Sequence, residues 1–237
     1  MAVAFDNTNP DSNGSGVSTL TSSSFTIAGS NRVLFGFAGS NSGPTRDPTG
    51  MKWGGSGGTA LSAIGTVLSV DAFGKLGAFQ LTPPAASTTT LFTQFAGTAD
   101  EAAQGCASYT GVDQGTPNGT AVTNTGSIAA TSGTATSGTV TTNVGDLVLA
   151  ALFLYDNDFQ GPTSAPTGSP TPTERYQATI GGDQVMAIQE AVATGSSTTV
   201  SFAISGGGGA LDAKWGIIAF VVNAAGDGDV LSAQACL

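Results

Sequence analysis

Gly145-Asp-Leu-Val-Leu-Ala-Ala-Leu-Phe-Leu-Tyr155 is the stretch that decides the fold. From Leu147 to Tyr155 the run is almost wholly apolar, yet far shorter than the roughly 18 residues a membrane helix needs. It opens after a Gly-Asp turn and closes on Asp156-Asn157-Asp158. A short apolar run bounded by turn residues reads as a strand covered on both faces. The rest of the chain has to supply those covers.

Strand-sized segments with period-two alternation stand on either side. Downstream, a Pro-rich loop (Gly161 to Pro172) leads to strands at Arg175–Ile180, Val185–Val192, Thr198–Ile204 and Lys214–Val222. Upstream lie Thr134–Thr142, Gln104–Tyr109, Leu91–Phe95, Leu76–Leu81, Leu61–Val70, Met51–Trp53, and the alternating sets Val33, Phe35, Phe37 and Phe25, Ile27. Pro83-Pro84 is a stop that neither neighbouring strand crosses. The closest thing to a helix is Ala99–Gln104, readable as one short turn. About a dozen strands, with connections too long for simple hairpins at Asn41–Asp47 and Asn157–Pro172, predict an all-β, antiparallel two-sheet sandwich of jelly-roll type. With no charged or polar linker, residues 1–237 are expected to form one domain. Residues 1–16 should form a short strand (Val3–Phe5) and a polar arm, and residues 224–237 a tail.

Composition narrows the chemistry. The chain has no histidine, and only 9% of its residues are charged, against roughly a quarter in an ordinary globular protein. Without histidine there is neither a Ser–His–Asp triad nor a Cys–His pair. Ser205 to Ala210 is glycine-rich but lacks the Lys-Ser/Thr of a phosphate loop, and reads as a turn. Glu101, Glu174 and Glu190 are the only glutamates, and none lies in a glycosidase-like motif. No enzyme activity and no cofactor are expected. The net charge is −10, and the six bases are scattered singly, so no stripe exists to follow a nucleic-acid backbone. No segment reads as a secretory signal or a membrane span. Cys106 reads as a small core residue, and Cys106 with Cys236 makes no disulfide framework.

Four aspartates are weak calcium candidates: Asp156 and Asp158 after the apolar strand, and Asp227 and Asp229 in the tail. Polar turns are the simpler reading of both clusters. Trp53, Trp215, Tyr109, Tyr155 and Tyr176 are the rings from which a sugar platform would be built. Trp53, beside a Gly-rich turn, is the possible glycan contact. Arg32 is either paired with a loop carboxylate or a solvated strand-end charge. Gly111 is placed to adopt positive φ where a strand exits, with Asp113 accepting backbone N–H groups two residues on.

Several segments carry a resemblance. They are Ser30-Asn-Arg-Val-Leu-Phe35; Met51-Lys-Trp-Gly-Gly55 with Ala60-Leu61; Leu81-Thr-Pro-Pro84; Tyr109-Thr-Gly-Val-Asp-Gln114 with Thr116-Pro117; and Gly145-Asp-Leu-Val148. Taken in order, they make the chain, from about residue 3 to residue 222, resemble the Gly/Ser/Thr-rich β-sandwich virion structural proteins of tailed bacteriophages. Related domains occur in bacterial surface proteins. The shared motifs are turns and strand edges, with no catalytic residue to transfer.

The resemblance implies a virion location and a capsid decoration (cement) role on the major capsid protein, as a homo-oligomer, with a trimer ahead of a dimer. Neither nucleic acid nor a membrane is an expected partner. A carbohydrate-binding or adhesin module and a tail or baseplate component are the alternatives. The expected inter-subunit contacts are Asp6, Asn7, Asn9, Asp11 and Asn13 in the arm, and Asp227, Asp229, Leu231 and Leu237 in the tail.

Overall fold

A computed structural model describes residues 2–10, 12–41, 46–158, 160–207 and 209–226. Among these the chain is all-β, with twenty-one strands and no helix. The first half contributes β1 (Ala4–Thr8), β2 (Ser12–Thr21), β3 (Phe25–Ile27), β4 (Val33–Asn41), β5 (Pro48–Trp53) and β6 (Thr59–Ala60). It continues with β7 (Ser62–Ala63), β8 (Leu68–Ser69), β9 (Gly74–Leu81), β10 (Ser87–Thr89) and β11 (Leu91–Thr110). The second half contributes β12 (Val122–Ile128), β13 (Ser132–Thr136), β14 (Val140–Thr141), β15 (Leu147–Asp156) and β16 (Thr163–Thr167). After these come β17 (Thr173–Ile180), β18 (Gln184–Val192), β19 (Ser197–Thr198), β20 (Ser201–Ser205) and β21 (Ala213–Val222). Every pairing is antiparallel.

The sandwich occurs twice. In the first half neighbouring strands run β2–β11–β4–β9; in the second they run β12–β21–β15–β18. Each half also pairs its short strands alike, β3 with β10 and β14 with β19. Register fixes the equivalence residue by residue. Val33 faces Tyr109 as Leu147 faces Val222, and Asn41 faces Gly74 as Tyr155 faces Gln184. These are jelly-roll-like strand orders, repeated in tandem.

Period-two alternation explains the layers. In β15, Leu149, Ala151, Phe153 and Tyr155 point into one core while Val148, Ala150, Leu152 and Leu154 point into another. In β4, Val33, Phe35 and Phe37 share the first of these cores, and Leu34 and Ala38 enter a third. The first core therefore lies between the halves, where the β4–β9–β11 face meets the β15–β18–β21 face. The third core closes the first half under β3, β5 and the start of β11; the second closes the other half under β13, β16 and β20. The apolar Leu147–Tyr155 run is covered on both faces, as its composition predicts.

β11 is the spine of the first half. Along one edge it carries β5 and then β4; along the other it carries β2 and then β1. Two expectations change here. Ala99–Gln104 is extended strand within β11, because neighbours on both edges take its backbone groups. The expected polar arm Asp6–Gly16 is also sheet: its described residues fall mostly in β1 and β2, paired along β11. Elsewhere Leu61–Val70 contributes only Ser62–Ala63 and Leu68–Ser69, Thr134–Thr142 divides into β13 and β14, and the Pro-rich loop contains β16.

The join between halves has an asymmetric lock. Gly39 and Phe153 hold the same position in β4 and β15, the seventh residue from Val33 and from Leu147. A Cβ on Gly39 would come within 2.2 Å of the Phe153 ring, so the glycine is the notch that admits the ring. Equivalent positions meeting one another are what an axis between two alike units produces. Phe153→Ala should lower unfolding free energy by about 3–5 kcal/mol, read from denaturant midpoints, as for other large-to-small changes at buried rings. A cost below about 1 kcal/mol would mean that the join does not depend on it.

Candidate functional site

A reactive centre would sit among the buried polar groups. All three tyrosines of the chain cross from one half to the other. Tyr109 donates to Glu190 Oε2 at 2.7 Å, Tyr176 donates to the Gln104 carbonyl at 2.7 Å, and Tyr155 donates to Asp71. Each ring fills the shared core while its hydroxyl reaches a polar group on the opposite half. Burial, then the neighbouring Glu190 carboxylate, pushes the Tyr109 hydroxyl well above its ordinary range, so it stays a donor. Glu190 also pairs with Arg175, whose guanidinium carbon lies 4.1 Å above the Phe5 ring. These groups are occupied with holding the join together.

One pair is different. Glu101, near the middle of β11, meets the turn between β17 and β18, where Asp183 lies beside it and Gln184 Nε2 donates to its Oε2 at 2.5 Å. Gly181 in that turn has φ +60°, and a Cβ there would come within 1.6 Å of Glu101 Oε1, so the turn is shaped around the carboxyl group. Burial, then the Asp183 carboxyl, pushes Glu101 up to about 8. Asp183 Oδ1 and Gln184 Oε1 are buried and have no hydrogen-bond partner. Glu101 and Asp183 are far apart in sequence, and neither lies in a motif.

The residues singled out from sequence fall differently. Asp6 Oδ2 accepts from the Ala28 amide at 3.1 Å and the Ser108 hydroxyl at 2.9 Å. Asn7 donates to the Thr26 carbonyl. Asn9 is only 2% exposed, and its Oδ1 accepts from the Cys106 amide at 2.6 Å. These three pin β1 and the chain after it to the sheet, so this part of the chain is not a free arm. Asn13, in β2, is exposed. Asp11, Asp227, Asp229, Leu231, Cys236 and Leu237 lie outside the described residues.

Asp156 is 1% exposed and accepts from the amides of Asp158, Gln160 and Asp212, which makes it a loop organiser. Asp158 is exposed and contributes that amide. Trp53 is 3% exposed and donates through Nε1 to the Ala85 carbonyl at 3.3 Å, with its ring edge-on to Phe25. That overturns it as a glycan contact, and Trp215 and the three tyrosines are buried as well. Among the described residues, Arg32 binds the carbonyls of Pro84 and Gly29 and no carboxylate. Cys106 is fully buried, as expected of a small core residue. Gly111 has φ 70°, and Asp113 accepts from the amides of Gly115 and Thr116. Those bonds hold the Asp113 carboxyl below its ordinary range.

With the faces buried, the accessible backbone lies at the edges. Among the described residues β2 pairs only with β11, β12 only with β21, and β13 only with β20, while Asn124 Nδ2 of β12 donates to the Thr136 carbonyl of β13 at 2.9 Å. Their sequences, SNGSGVSTLT, VTNTGSI and SGTAT, contain no charged residue and no proline. β2 and β12 occupy the same place in the two repeated sheets. Their sequences carry neither the charges nor the prolines that commonly block pairing at an edge.

No protein-family model and no curated protein matches the chain. Among solved structures, an anti-sigma factor domain-containing protein is similar over 83% of this chain and 78% of its own, at 8% identity and a TM-score of 0.20. That likeness is too slight to carry an argument. No helix among the described residues is long and apolar enough to cross a membrane.

Two outcomes are expected. Trp53→Ala should destabilise the fold by about 3–5 kcal/mol, measured by chemical denaturation, because it opens a core cavity. A stable variant with altered surface binding would restore the platform reading. The raised Glu101 carboxyl binds a proton in the folded chain that the unfolded chain releases above its ordinary 4.5. Its contribution is complete below about 4.5 and is lost as pH rises through about 8, so urea stability measured in EDTA should fall across that window. Glu101→Gln should flatten the slope; an unchanged slope would contradict the assignment.

Proposed function

We propose that this chain is a virion structural protein, a capsid decoration protein that binds and stabilises a shell of major capsid protein. It works by contact and has no catalytic role. The carrying observation is the set of uncharged, proline-free edge strands β2, β12 and β13. Monomeric proteins protect long edges with lysine, proline or a covering segment. Edges left open in this way suit main-chain pairing with a neighbouring subunit, and alternating Ser, Thr and Asn side chains add hydrogen bonds. The resemblance to phage β-sandwich proteins points the same way.

The same edges suit a homo-oligomer, since β2 and β12 give each subunit two alike places to pair; a trimer is proposed ahead of a dimer. The adhesin alternative loses its aromatic anchor with Trp53 buried. A tail or baseplate component would use the same edges, and location on the particle separates it from a head protein.

Thr19 and Thr125 are exposed on β2 and β12. Thr19→Lys with Thr125→Lys should leave the melting temperature within about 2 °C, as surface changes do. It should also reduce oligomer by analytical ultracentrifugation and reduce co-sedimentation with shells assembled from the major capsid protein of the same genome. If the intact chain ignores such shells, the decoration role fails. If the double variant binds them as tightly as the parent, the edges are not the contact.

A further inference from the structure

The two halves set up a comparison within one molecule. Register makes Glu101 of β11 the counterpart of Lys214 of β21, for Glu101 faces Asn41 as Lys214 faces Tyr155. The two sit at equivalent corners of the join, each against a turn of the other half. At the Lys214 corner the turn supplies Asp71: burial pushes its carboxyl up, but the Tyr155 hydroxyl, the Gly74 and Phe73 amides and, least of these, the Lys214 charge bring it below its ordinary range, while the ammonium itself pairs with Asp212 Oδ1 at 2.6 Å. At the Glu101 corner the turn supplies Asp183, and the neighbouring charges acting on Glu101 come from Asp183 and Asp100, both acidic. One corner has an acid facing a base. The other has an acid facing an acid, with a positive charge missing from the twin arrangement.

The atoms there suit a particular kind of partner. Glu101 has two carboxylate oxygens at the corner; Asp183, 5% exposed, has Oδ1 without a partner; and Gln184, fully buried, has Oε1 without a partner. A buried oxygen left unpaired costs its desolvation without return, so two such atoms beside a carboxyl pair call for something that binds oxygen. The set contains no sulfur or imidazole. All-oxygen donors of this type select hard divalent cations, and calcium tolerates an irregular set completed by water.

We infer that Glu101, Asp183 and Gln184 form a calcium-class cation site that clamps the two halves at the corner where Lys214 has no counterpart. Binding displaces the proton shared by the two carboxyls, and a half-turn of the Gln184 amide exchanges its donor for its acceptor. The cation then supplies this corner with the positive charge that Lys214 supplies to the other, where it acts on both Asp212 and Asp71. The site is separate from the aspartates flagged in sequence, because Asp156 spends its oxygens on three backbone amides. The inference is independent of the capsid reading, since it concerns how the chain holds itself together.

The test uses the full chain stripped with EDTA, then titrated with calcium chloride at pH 7.5. Calorimetry should show one saturable site, and the melting temperature should rise by about 5–10 °C at a hundredfold excess over the Kd. Magnesium should give a smaller rise. Glu101→Gln and Asp183→Asn should each abolish the calcium response. Glu101→Lys rebuilds the twin corner, so it should melt above the parent in EDTA and ignore calcium. A parent chain whose melting temperature does not respond to calcium overturns the site and leaves a shared proton only. A calcium response that survives in the folded Glu101→Gln and Glu101→Lys variants also overturns it, by placing the ion elsewhere.

Discussion

Two apolar sheet faces that must not be left wet govern this molecule. The face bearing Val33, Phe35, Phe37, Ala103 and Ala107 has no cover within its own half. The same is true of the face bearing Leu149, Phe153, Met186, Ile188, Ile218 and Phe220. Each is the other's cover, and burial of that area is the main term stabilising the join. Once it forms, both central sheets have both faces occupied, because each half already closes over its outer face. What remains for function is edges, turns and termini.

Hydrophobic burial is non-directional, so something else must set the pairing of the halves. Shape does part of it: the Phe153 ring enters the notch at Gly39, an exchange of volume between equivalent positions that holds one arrangement. Directional bonds do the rest. Tyr109, Tyr155 and Tyr176 bring hydroxyl groups to partners that only the correct register presents. The two halves differ at equivalent positions where they meet, as Gly39 with Phe153 and Glu101 with Lys214 illustrate. Identical residues at such places would clash, leave a void or repeat a charge.

Legibility in the sequence follows from how strongly each segment signals its burial. Leu147–Tyr155, Val185–Val192 and Lys214–Val222 are strands buried on both faces, and their apolar runs announce it. Gly111 and Asp113 form a turn whose chemistry is local, so it too can be read. β2 and β12 have no apolar alternation, because their edges and much of their surface face solvent; only pairing with β11 and β21 makes them strands. Ala99–Gln104 carries helix-favouring Ala and Glu, and tertiary pairing overrides that preference. Trp53 beside a Gly turn looks exposed until Phe25 packs on its ring and the Ala85 carbonyl accepts from its Nε1. Glu101 and Asp183 come together only through the tandem packing, and no local pattern encodes a contact between halves.

The central claim is that one shared interior makes the two repeated sandwiches a single cooperative unit. Native-state hydrogen exchange of the intact chain tests it most directly. Amides of β4 and β11 in the first half and of β15, β18 and β21 in the second should exchange through one global opening, with the same free energy and the same denaturant dependence. If one half's amides opened at several kcal/mol less than the other's, with a smaller denaturant slope, the halves would be independent and the account would fail.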